Sequence, residues 1–400
     1  MSVIHHALVL NLHQPPGNLE QLLTDKPWEA REILYAYDRI PRSLWDYEDV
    51  ARVHLSISGT LLETLSSPDF QRNVYGITDC GSLLWHLQNQ RIIEILGTGY
   101  YHPVLPLIPD ADREAHISRW QGIAQHLFWR TDFNGFWPPE LGFSMELIPL
   151  LKRAGYGYVI VDSEHIEPVT PMSRHELLYR PHLARHEGDE IVVIVRDREL
   201  SGSLVSGMDY VWFVKEVAQR TGGCEFEPLV TTCSDGENGA WFRNTNNDAN
   251  FWGTFYRRLL DAAREDGPIQ PTFIQSYIDQ QGVWGEVTVK PGAWNTDWHE
   301  GKDFTQWTGS KAQRESLERL RRVSLEVHQA IQDASDRELG FQEQRVLEEA
   351  NWRLLRAETS CNFYWGEDWV HRAHNDLDGA EATLRKFRAK KYLIDADPGW

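Results

Sequence analysis

Short apolar runs recur along the chain, and most of them end in polar or charged residues. They favour buried strands, because parallel strands covered by helices on both faces are apolar almost throughout. A longer stretch, residues 112–130, is apolar at helical spacing and predicts a helix between two of the runs. The pattern therefore predicts an α/β fold with a parallel sheet. The runs cover residues 7–12, 52–58, 100–105, 133–140, 156–162, 191–197 and 228–235.

Polar groups gather where several of the predicted strands end. Glu140 closes the fourth run, Asp235 closes the last one, and His13 directly follows the first. A (β/α) barrel brings the C-terminal ends of its strands together at one mouth, where such enzymes carry their active sites. About seven strands are fewer than the eight of a complete barrel. We therefore expect an incomplete barrel.

The final part of the sequence has a different character. Ser310 and Gln313 have the capping-box spacing that opens a helix, and further helical patterns follow them. We predict two regions: a catalytic barrel over residues 1–309, and a helical bundle over residues 310–400 that packs on the barrel.

The segment 280–308 has no regular period and is rich in tryptophan. Sugar rings present apolar C–H faces between hydroxyls, which suit a flat indole with one donor. We predict a long functional loop over the barrel mouth, with Trp294 and Trp298 beside Asp297 as sugar contacts. The alternative is that these rings pack the helical region onto the barrel. Four of the 17 Trp of the chain lie here: Trp284, Trp294, Trp298 and Trp307.

The charge balance limits the partners of the chain. Forty Lys and Arg against 59 Asp and Glu give a formal charge of −19, which argues against nucleic acid or an anionic membrane. The start, MSVIHHALVLNLH, lacks a basic region, and its apolar run is too short for a signal sequence or a membrane span, so we expect a cytoplasmic protein. Four scattered cysteines argue against a disulfide framework or a structural zinc site. The sequence leaves the oligomeric state open.

Two carboxylates carry the first chemical hypothesis. Glu140 and Asp235, at different strand ends, are placed to face each other across one barrel mouth. Glycoside cleavage uses such a pair: one carboxyl protonates the leaving oxygen, and the other attacks the anomeric carbon or activates water. A like charge nearby raises one of the two pKa values, so that one acid stays protonated while the other is ionised. Position alone also allows metal-binding, helix-capping or solvated acids.

A catalytic metal is the main alternative, since some incomplete barrels are metal-dependent deacetylases. His182 with His186, and His371 with His374, have spacings that place two imidazoles on one helical face. No Asp-Asp or Asp-x-His pair follows the first predicted strand to complete such a site. Phosphate-binding glycine loops and the Gly-x-Ser-x-Gly elbow are also absent. We therefore expect neither a metal nor a cofactor.

Five segments, in this order, resemble the sequence motifs of glycoside hydrolase family 57. That family contains α-amylases, 4-α-glucanotransferases, branching enzymes and amylopullulanases. The resemblance implies an incomplete (β/α)7 barrel followed by a helical region, a retaining mechanism and no metal. The segments are HQPPG (13–17), GTGYYHPVLPLIPD (97–110), GFWPPELGFS (135–144), CSDGENGAWF (233–242) and AETSCNFYWG (357–366).

The resemblance also implies roles for individual residues. Glu140 in WPPE matches the nucleophile of the family, Asp235 in SDGEN matches the acid/base, and His13 matches the residue that lines the subsite of the cleaved bond. Cys361 stands where the family often has an acid, which leaves the glucan type and linkage open. Together with the Trp-rich segment, the motifs give these candidate substrate-binding residues: His13, His102, Trp137, Glu237, Trp294, Asp297, Trp298 and Trp365.

Two kinds of activity and one non-catalytic function fit this pattern. We expect hydrolysis of an α-glucan, as in an α-amylase, because the chain has no long extra β-domain and no long insertion that would serve as a lid. A 4-α-glucanotransferase or a branching enzyme would use the same two carboxylates, since either water or a sugar hydroxyl can intercept a glycosyl-enzyme. A non-catalytic glucan-binding protein is the third hypothesis, and the presence of both acids disfavours it.

Overall fold

The computed structural model describes residues 3–89, 91–294, 296, 302–335 and 339–395. Strands from this part of the chain form one sheet covered by helices, so the α/β class is confirmed. The strands are β1 (Ile4–Leu12), β2 (Val53–Ile57), β3 (Ile93–Leu96), β4 (Gly135–Phe136), β5 (Tyr158–Asp162), β6 (Ile166–Pro168), β7 (His182–His186), β8 (Asp189–Arg196), β9 (Leu229–Asp235), β10 (Ile269–Pro271) and β11 (Glu286–Val289).

Helices follow most of the strands. Among the described residues, no helix has both the length and the apolar character needed to cross a membrane. The helices are α1 (Asn18–Asp25), α2 (Pro27–Leu44), α3 (Gly59–Ser66), α4 (Pro68–Val74), α5 (Cys80–Asn89), α6 (Asp110–Phe128), α7 (Ile148–Arg153), α8 (Arg174–Tyr179), α9 (Arg198–Val205), α10 (Tyr210–Thr221), α11 (Gly239–Arg243), α12 (Arg257–Arg264), α13 (Ile274–Gln281), α14 (Thr305–Thr308), α15 (Lys311–Ser335), α16 (Phe341–Ala357), α17 (Cys361–Tyr364) and α18 (Val370–Asp395).

Parallel strands follow one another in the order β4-β5-β8-β9-β1-β2-β3. Between β3 and β4, at the two ends of this series, one isolated bridge forms from Gly97 to Phe136. Gly97 N donates to Gly135 O at 2.9 Å, and Trp137 N donates to Gly97 O at 2.8 Å. Among the described strands, β3 and β4 are not joined by a continuous ladder of hydrogen bonds, so the barrel does not close. This agrees with the expected incomplete (β/α)7 barrel.

The central strand β1 positions one side of the barrel mouth. Its residues are almost all buried, as expected for a strand with parallel neighbours on both sides. Its register with β9 puts Asn11 opposite Asp235. The ends of β1, β2 and β9 therefore meet where the chain continues to His13, Ser58 and Glu237.

One predicted strand is wrong. Residues 100–105 form a turn and a loop, and the strand that pairs with β2 is β3, a few residues earlier. His102 has a φ of 57°, and Pro103 follows it, so the chain cannot continue as a strand there. The sequence pattern missed β3 because Glu94 interrupts its short apolar run.

The segment 280–308 is more regular than expected. It contains β11, which pairs antiparallel with β6 and parallel with β7, and it ends in the short helix α14. The prediction of one long irregular loop is therefore wrong for these parts of the segment. Pairing along β11 supplies backbone hydrogen bonds that the aromatic composition did not reveal.

The helices of the last part of the chain pack on one another. Ser310 N donates to Gln313 Oε1 at 2.7 Å, and Gln313 N donates to Ser310 Oγ at 3.1 Å, which is the predicted capping box. Apolar faces of α15, α16 and α18 share one core, which Val104, Ala293 and Trp307 also enter. Residues from before position 310 thus complete this core, and the division of the chain at 309/310 stays a prediction.

Candidate active site

Asp235 ends β9 at the barrel mouth, where it is half-buried. Its two carboxylate oxygens accept hydrogen bonds from amide groups, Asn11 Nδ2 at 3.0 Å and Asn238 Nδ2 at 2.9 Å. Burial raises the pKa of Asp235 above its usual range, and the charge of Glu140 raises it further, against the two amide donors. The environment therefore favours the protonated form of this acid more than water does.

Glu140 lies just beyond β4, in a tight turn after Pro138 and Pro139. Glu140 and Leu141 have φ values of 59° and 48°, in the left-handed region that residues other than glycine seldom adopt. This turn buries the Glu140 side chain, which is 8% exposed. The carbonyl oxygen of Glu140 accepts from Trp294 N at 2.9 Å, which ties the turn to the Trp-rich segment.

Both carboxylate oxygens of Glu140 accept hydrogen bonds. Ser360 Oγ donates to Oε1 at 2.7 Å, and Trp294 Nε1 donates to Oε2 at 2.8 Å. His102 Nδ1 lies 3.5 Å from Oε1. Burial alone would raise the pKa of Glu140, but the contacts with His102, Ser360 and Trp294 outweigh it, and the net shift is downward. The site thus holds Glu140 ionised.

The pKa values of Glu140 and Asp235 are shifted in opposite directions, which suits the two acids to different chemical roles. The charge of Glu140 acts on Asp235, so the two groups share one electrostatic environment. One acid is held as a carboxylate by donors on both oxygens, while the other is shifted towards its protonated form. Such a pair is suited to simultaneous nucleophilic attack and proton donation.

Two histidines stack beside the acids. The rings of His13 and His102 are parallel within 10°, with centroids 4.1 Å apart. His13 Nδ1 lies 2.9 Å from Ser58 Oγ, and burial lowers the pKa of His13 well below its usual range. Both Nε2 atoms are buried and lack a hydrogen-bond partner among the described residues. Buried polar atoms are rarely left unsatisfied, so these two nitrogens are available for polar groups of a ligand.

Two residues predicted to contact sugar lie behind the site instead. Glu237 is 1% exposed, and its Oε1 accepts from the backbone N of His13 at 2.9 Å. Burial, followed by the charge of Asp235, raises the pKa of Glu237 well above its usual range. Trp137 is fully buried and packs edge-on against Trp294 at 5.3 Å. In this conformation both support residues of the site rather than line its open surface.

The predicted tryptophans have different surroundings. Trp365 is 55% exposed and lies edge-on to Tyr364. Trp307 is fully buried in the core of the last helices, and Trp284 is half-exposed beneath the Arg180 guanidinium. Within the Trp-rich segment, Trp294 reaches Glu140. Two further candidate sugar contacts, Asp297 and Trp298, lie outside the described residues.

The histidine pairs do not have the arrangement expected for metal ligands. His182 and His186 lie on the strand β7 rather than on a helix, which contradicts the expected helical face. His371 and His374 do lie on a helix, α18, but His374 Nδ1 is 3.1 Å from a guanidinium nitrogen of Arg319. Across the described ranges, no group of three His, Cys, Asp or Glu side chains is arranged to hold a metal ion.

A family model described as Glycosyl hydrolase family 57 matches residues 20–277, which is more than half of the chain. The chain belongs to glycosyl hydrolase family 57. The match includes Glu140 and Asp235, and it begins after His13 and ends before Ser360. The resemblance drawn from the five motifs is thereby confirmed.

Curated relatives match about half of this chain. The alpha-amylase of Pyrococcus horikoshii is 31% identical over 188 residues, 47% of this chain and 27% of that protein. The 4-alpha-glucanotransferase of Thermococcus litoralis is 30% identical over 205 residues, 50% of this chain and 28% of that protein. The chain thus spans only about a quarter of the length of these relatives.

Solved structures share the fold over nearly the whole chain. The exo-type maltose-forming amylase of Pyrococcus sp. ST04 has a TM-score of 0.73 at 12% identity, covering 97% of this chain and 81% of that one. The GH57-type branching enzyme of Pyrococcus horikoshii has a TM-score of 0.71 at 15% identity, covering 97% and 88%. At these identities the likeness shows the fold alone.

Sequence reasoning missed several groups around the two acids of this family 57 chain. Asn11, Asn238 and Ser360 donate hydrogen bonds to them, although none was named from the sequence. Two signals were available: Asn11 lies two residues before His13, and Ser360 lies inside the fifth motif. Cys361, where the family often has an acid, has a pKa raised by burial and then by the charge of Glu140, so its thiol stays neutral.

Proposed function

We propose that this chain is a retaining enzyme of α-glucan metabolism, with Glu140 as the nucleophile and Asp235 as the general acid/base. The observation that carries the proposal is the placement of the two acids at one barrel mouth, with donors on both oxygens of Glu140 and on both oxygens of Asp235, and the opposite directions of their pKa shifts agree with it. Hydrolysis in the manner of an α-amylase is the activity that we favour. Transfer to a sugar hydroxyl, as in a 4-α-glucanotransferase or branching enzyme, would use the same residues.

The first step cleaves the glycosidic bond. Glu140 attacks the anomeric carbon with a lone pair of one carboxylate oxygen, and the bond from that carbon to the leaving oxygen breaks. Asp235 gives its proton to the leaving oxygen, so that the departing sugar leaves as a neutral alcohol. Hydrogen bonds from Ser360 and Trp294 fix the attacking carboxylate, while Asn11 and Asn238 orient the acid.

The second step releases the sugar from Glu140. Asp235, now ionised, takes a proton from an incoming water or sugar hydroxyl, whose oxygen attacks the anomeric carbon. Both displacements invert the carbon, so its configuration is retained overall. The unsatisfied Nε2 atoms of His13 and His102 are suited to bind hydroxyls of the sugar between the acids. Trp365 offers an exposed ring for a further sugar unit.

The stereochemistry and length of the products test this proposal directly. Incubation with a maltooligosaccharide of defined length should release products that first appear as the α-anomer in a ¹H NMR time course. Initial formation of the β-anomer would contradict the retaining mechanism and the role of Glu140. Chains shorter than the substrate support hydrolysis, whereas chains longer than the substrate would assign the protein to the transferases. Binding without any cleavage would favour the non-catalytic alternative.

The Trp294 indole provides a second test, through the pH dependence of activity. Trp294→Phe removes one donor to Glu140 Oε2, and such a bond to a charged group contributes roughly 1.5 kcal/mol or more. That corresponds to a rise of about one unit in the pKa of Glu140. Activity needs ionised Glu140 and is lost as the pH falls through this pKa, so the acidic limb of kcat/KM should move up by about one unit.

A buried tryptophan elsewhere in the chain provides the matched control. Trp307 is fully buried, and its Nε1 has no hydrogen-bond partner in the described part of the chain. Trp307→Phe removes the same N–H from a core without removing a contact to either acid. Its pH profile should coincide with that of the wild type. An unmoved acidic limb in Trp294→Phe would show that the indole donor does not set the pKa of Glu140.

A further inference from the structure

A buried cluster of titratable side chains lies outside the site. Asp112 and His116 belong to α6, Glu358 follows α16, and His328 belongs to α15. His116 Nε2 lies 2.8 Å from Glu358 Oε2, and both side chains are fully buried. His328 Nε2 lies 2.6 Å from Asp112 Oδ1. The cluster thus connects a helix of the barrel to two helices of the last part of the chain.

The hydrogen bonds of His116 define its tautomer. Its Nδ1 accepts from the backbone N of Tyr101 at 3.3 Å, so Nδ1 carries no proton. Burial lowers the pKa of His116 to about 3, which keeps the ring neutral. The single ring proton therefore resides on Nε2, and His116 donates to Glu358 Oε2.

The charge of Asp112 acts on Glu358, so the two buried carboxyl groups share one electrostatic environment. Asp112 Oδ2 and Glu358 Oε1 are both buried and have no hydrogen-bond partner among the described residues. Burial and like charge both disfavour a state in which the two groups are ionised together, so a proton on one of them is favoured. Burial and the charge of Asp112 raise the pKa of Glu358 well above its usual range, while contacts from His328 and Ser324 lower that of Asp112 despite its burial. These opposite shifts favour Glu358 as the neutral acid of the two.

Glu358 is two residues from a group that contacts Glu140. Thr359, the next residue, forms an antiparallel bridge with Pro103. Ser360 follows, and its N donates to His102 O at 3.1 Å while its Oγ donates to Glu140. On the other side of the cluster, His116 holds the backbone of Tyr101, which directly precedes His102. Both segments that contact Glu140 Oε1 are therefore anchored to the His116–Glu358 pair.

We propose that Glu358, through its hydrogen bond with His116, is a positioning residue that fixes Ser360 and His102 against Glu140. It acts through these two residues and touches neither the substrate nor the reacting atoms. This role rests on the proposed function of Glu140. Its loss would let the segment 359–360 shift away from the carboxylate, and a misplacement of about 1 Å in a catalytic site lowers the rate about 10²-fold.

Two substitutions of Glu358 test the role. Glu358→Gln keeps the hydrogen bond with His116, because the amide oxygen accepts from Nε2, so kcat should stay within about threefold of the wild type. Glu358→Ala removes this bond, and kcat should fall about 10²-fold with a smaller change in KM. The acidic limb of the pH profile should also move up in Glu358→Ala, since Glu140 loses its Ser360 donor. A loss in Glu358→Gln equal to that in Glu358→Ala would overturn the proposal, as would a wild-type profile in Glu358→Ala.

Glu349→Ala is the matched control on the same helix. Glu349 is exposed and pairs with Arg353 four residues later, so its removal takes a carboxylate from α16 without touching the cluster. Its kcat and pH profile should equal those of the wild type. A similar fall in kcat for Glu349→Ala would attribute the effect to α16 as a whole, and the proposal would fail.

Unfolding measurements test the protonation state without any activity. A raised pKa in the folded state gives a stabilising contribution that is complete below the pKa of the unfolded chain, roughly 4.3, and is lost as the pH rises through the folded-state pKa. Glu358→Gln does not titrate, so its urea midpoint should rise relative to that of the wild type as the pH rises above about 4.3. Parallel pH dependences would overturn the neutral acid. A wild type that cleaves no α-glucan would instead refute the proposed function and the positioning role, while the unfolding result would still decide the protonation of Glu358.

Discussion

Replacing Glu140 by Gln is expected to lower kcat on α-glucans by at least about 10⁴-fold, with little change in the Kd for a maltooligosaccharide. The amide has the shape of the carboxylate but no charge and no competent lone pair for attack. Both groups that hold Glu140 are donors, so the amide oxygen can accept from Trp294 only if the amide nitrogen faces Ser360. The Ser360 hydroxyl can rotate and accept, which lets the folded structure survive. Steady-state kinetics and calorimetry measure the two quantities.

A nearby glutamate is the control for this experiment. Glu146 lies six residues further on, and its half-exposed carboxylate pairs with Arg113. Glu146→Gln should keep the rate of the wild type within about twofold, since surface ion pairs contribute little.

Adding azide to Glu140→Ala should restore turnover, with azide attacking from the vacated side and giving the β-glycosyl azide. Turnover in Glu140→Gln within tenfold of the wild type would remove Glu140 from the mechanism.

Replacing Asp235 by Asn should lower kcat on natural α-glucans by about 10²–10⁴-fold, the usual contribution of a general acid. Aryl glycosides with acidic phenols leave without protonation, so their first step should be slowed far less. The alkaline limb of the pH profile should also disappear, because in the wild type activity is lost as the pH rises through the raised pKa of Asp235. Comparing natural and aryl substrates across pH checks both expectations.

Azide separates the role of Asp235 from that of Glu140. In Asp235→Ala the glycosyl-enzyme still forms from an aryl substrate, and azide should intercept it to give the α-glycosyl azide. Asp248→Asn is the control, because Asp248 is exposed and its hydrogen bonds are made through its backbone. Equal losses on natural and aryl glycosides would contradict the assignment of Asp235 as the acid.

Much of the fold could be predicted because the local pattern and the tertiary structure agree. Predicted strands at 156–162 and 228–235 correspond to β5 and β9, and the helix over 112–130 corresponds to α6. The strand β3 could not be found from the sequence. It has four residues, and the polar Glu94 among them leaves an apolar run that is too short to recognise. The strand β11 pairs with β6 and β7, which lie more than 100 residues earlier in the chain. The periodicity of a local segment carries no information about such distant partners.

The two acids were predictable, and their surroundings were not. Asp235 ends β9, Glu140 lies just beyond β4, and both are in motifs, so position and resemblance agree on them. The donor Ser360 is 220 residues from Glu140, and only the folded chain brings them together. Composition also gave no way to separate Trp294, which reaches the carboxylate, from Trp307, which fills a core. Both rings are buried, so their hydrogen-bond partners decide between these roles, and those partners are set by the whole fold.

Backbone geometry at the barrel mouth constrains how this chain can change through evolution. His102, Glu140 and Leu141 all have left-handed dihedrals, and each such residue costs of the order of 1–3 kcal/mol. A natural domain is stable by only about 5–15 kcal/mol in total, so three such residues consume much of what the rest of the core supplies. Glycine would relieve the backbone strain, but each of these side chains is buried, so its removal would also cost packing or hydrogen bonds. The backbone strain and the buried side chains therefore oppose each other at this turn, and selection for turnover would favour keeping the proposed nucleophile in place.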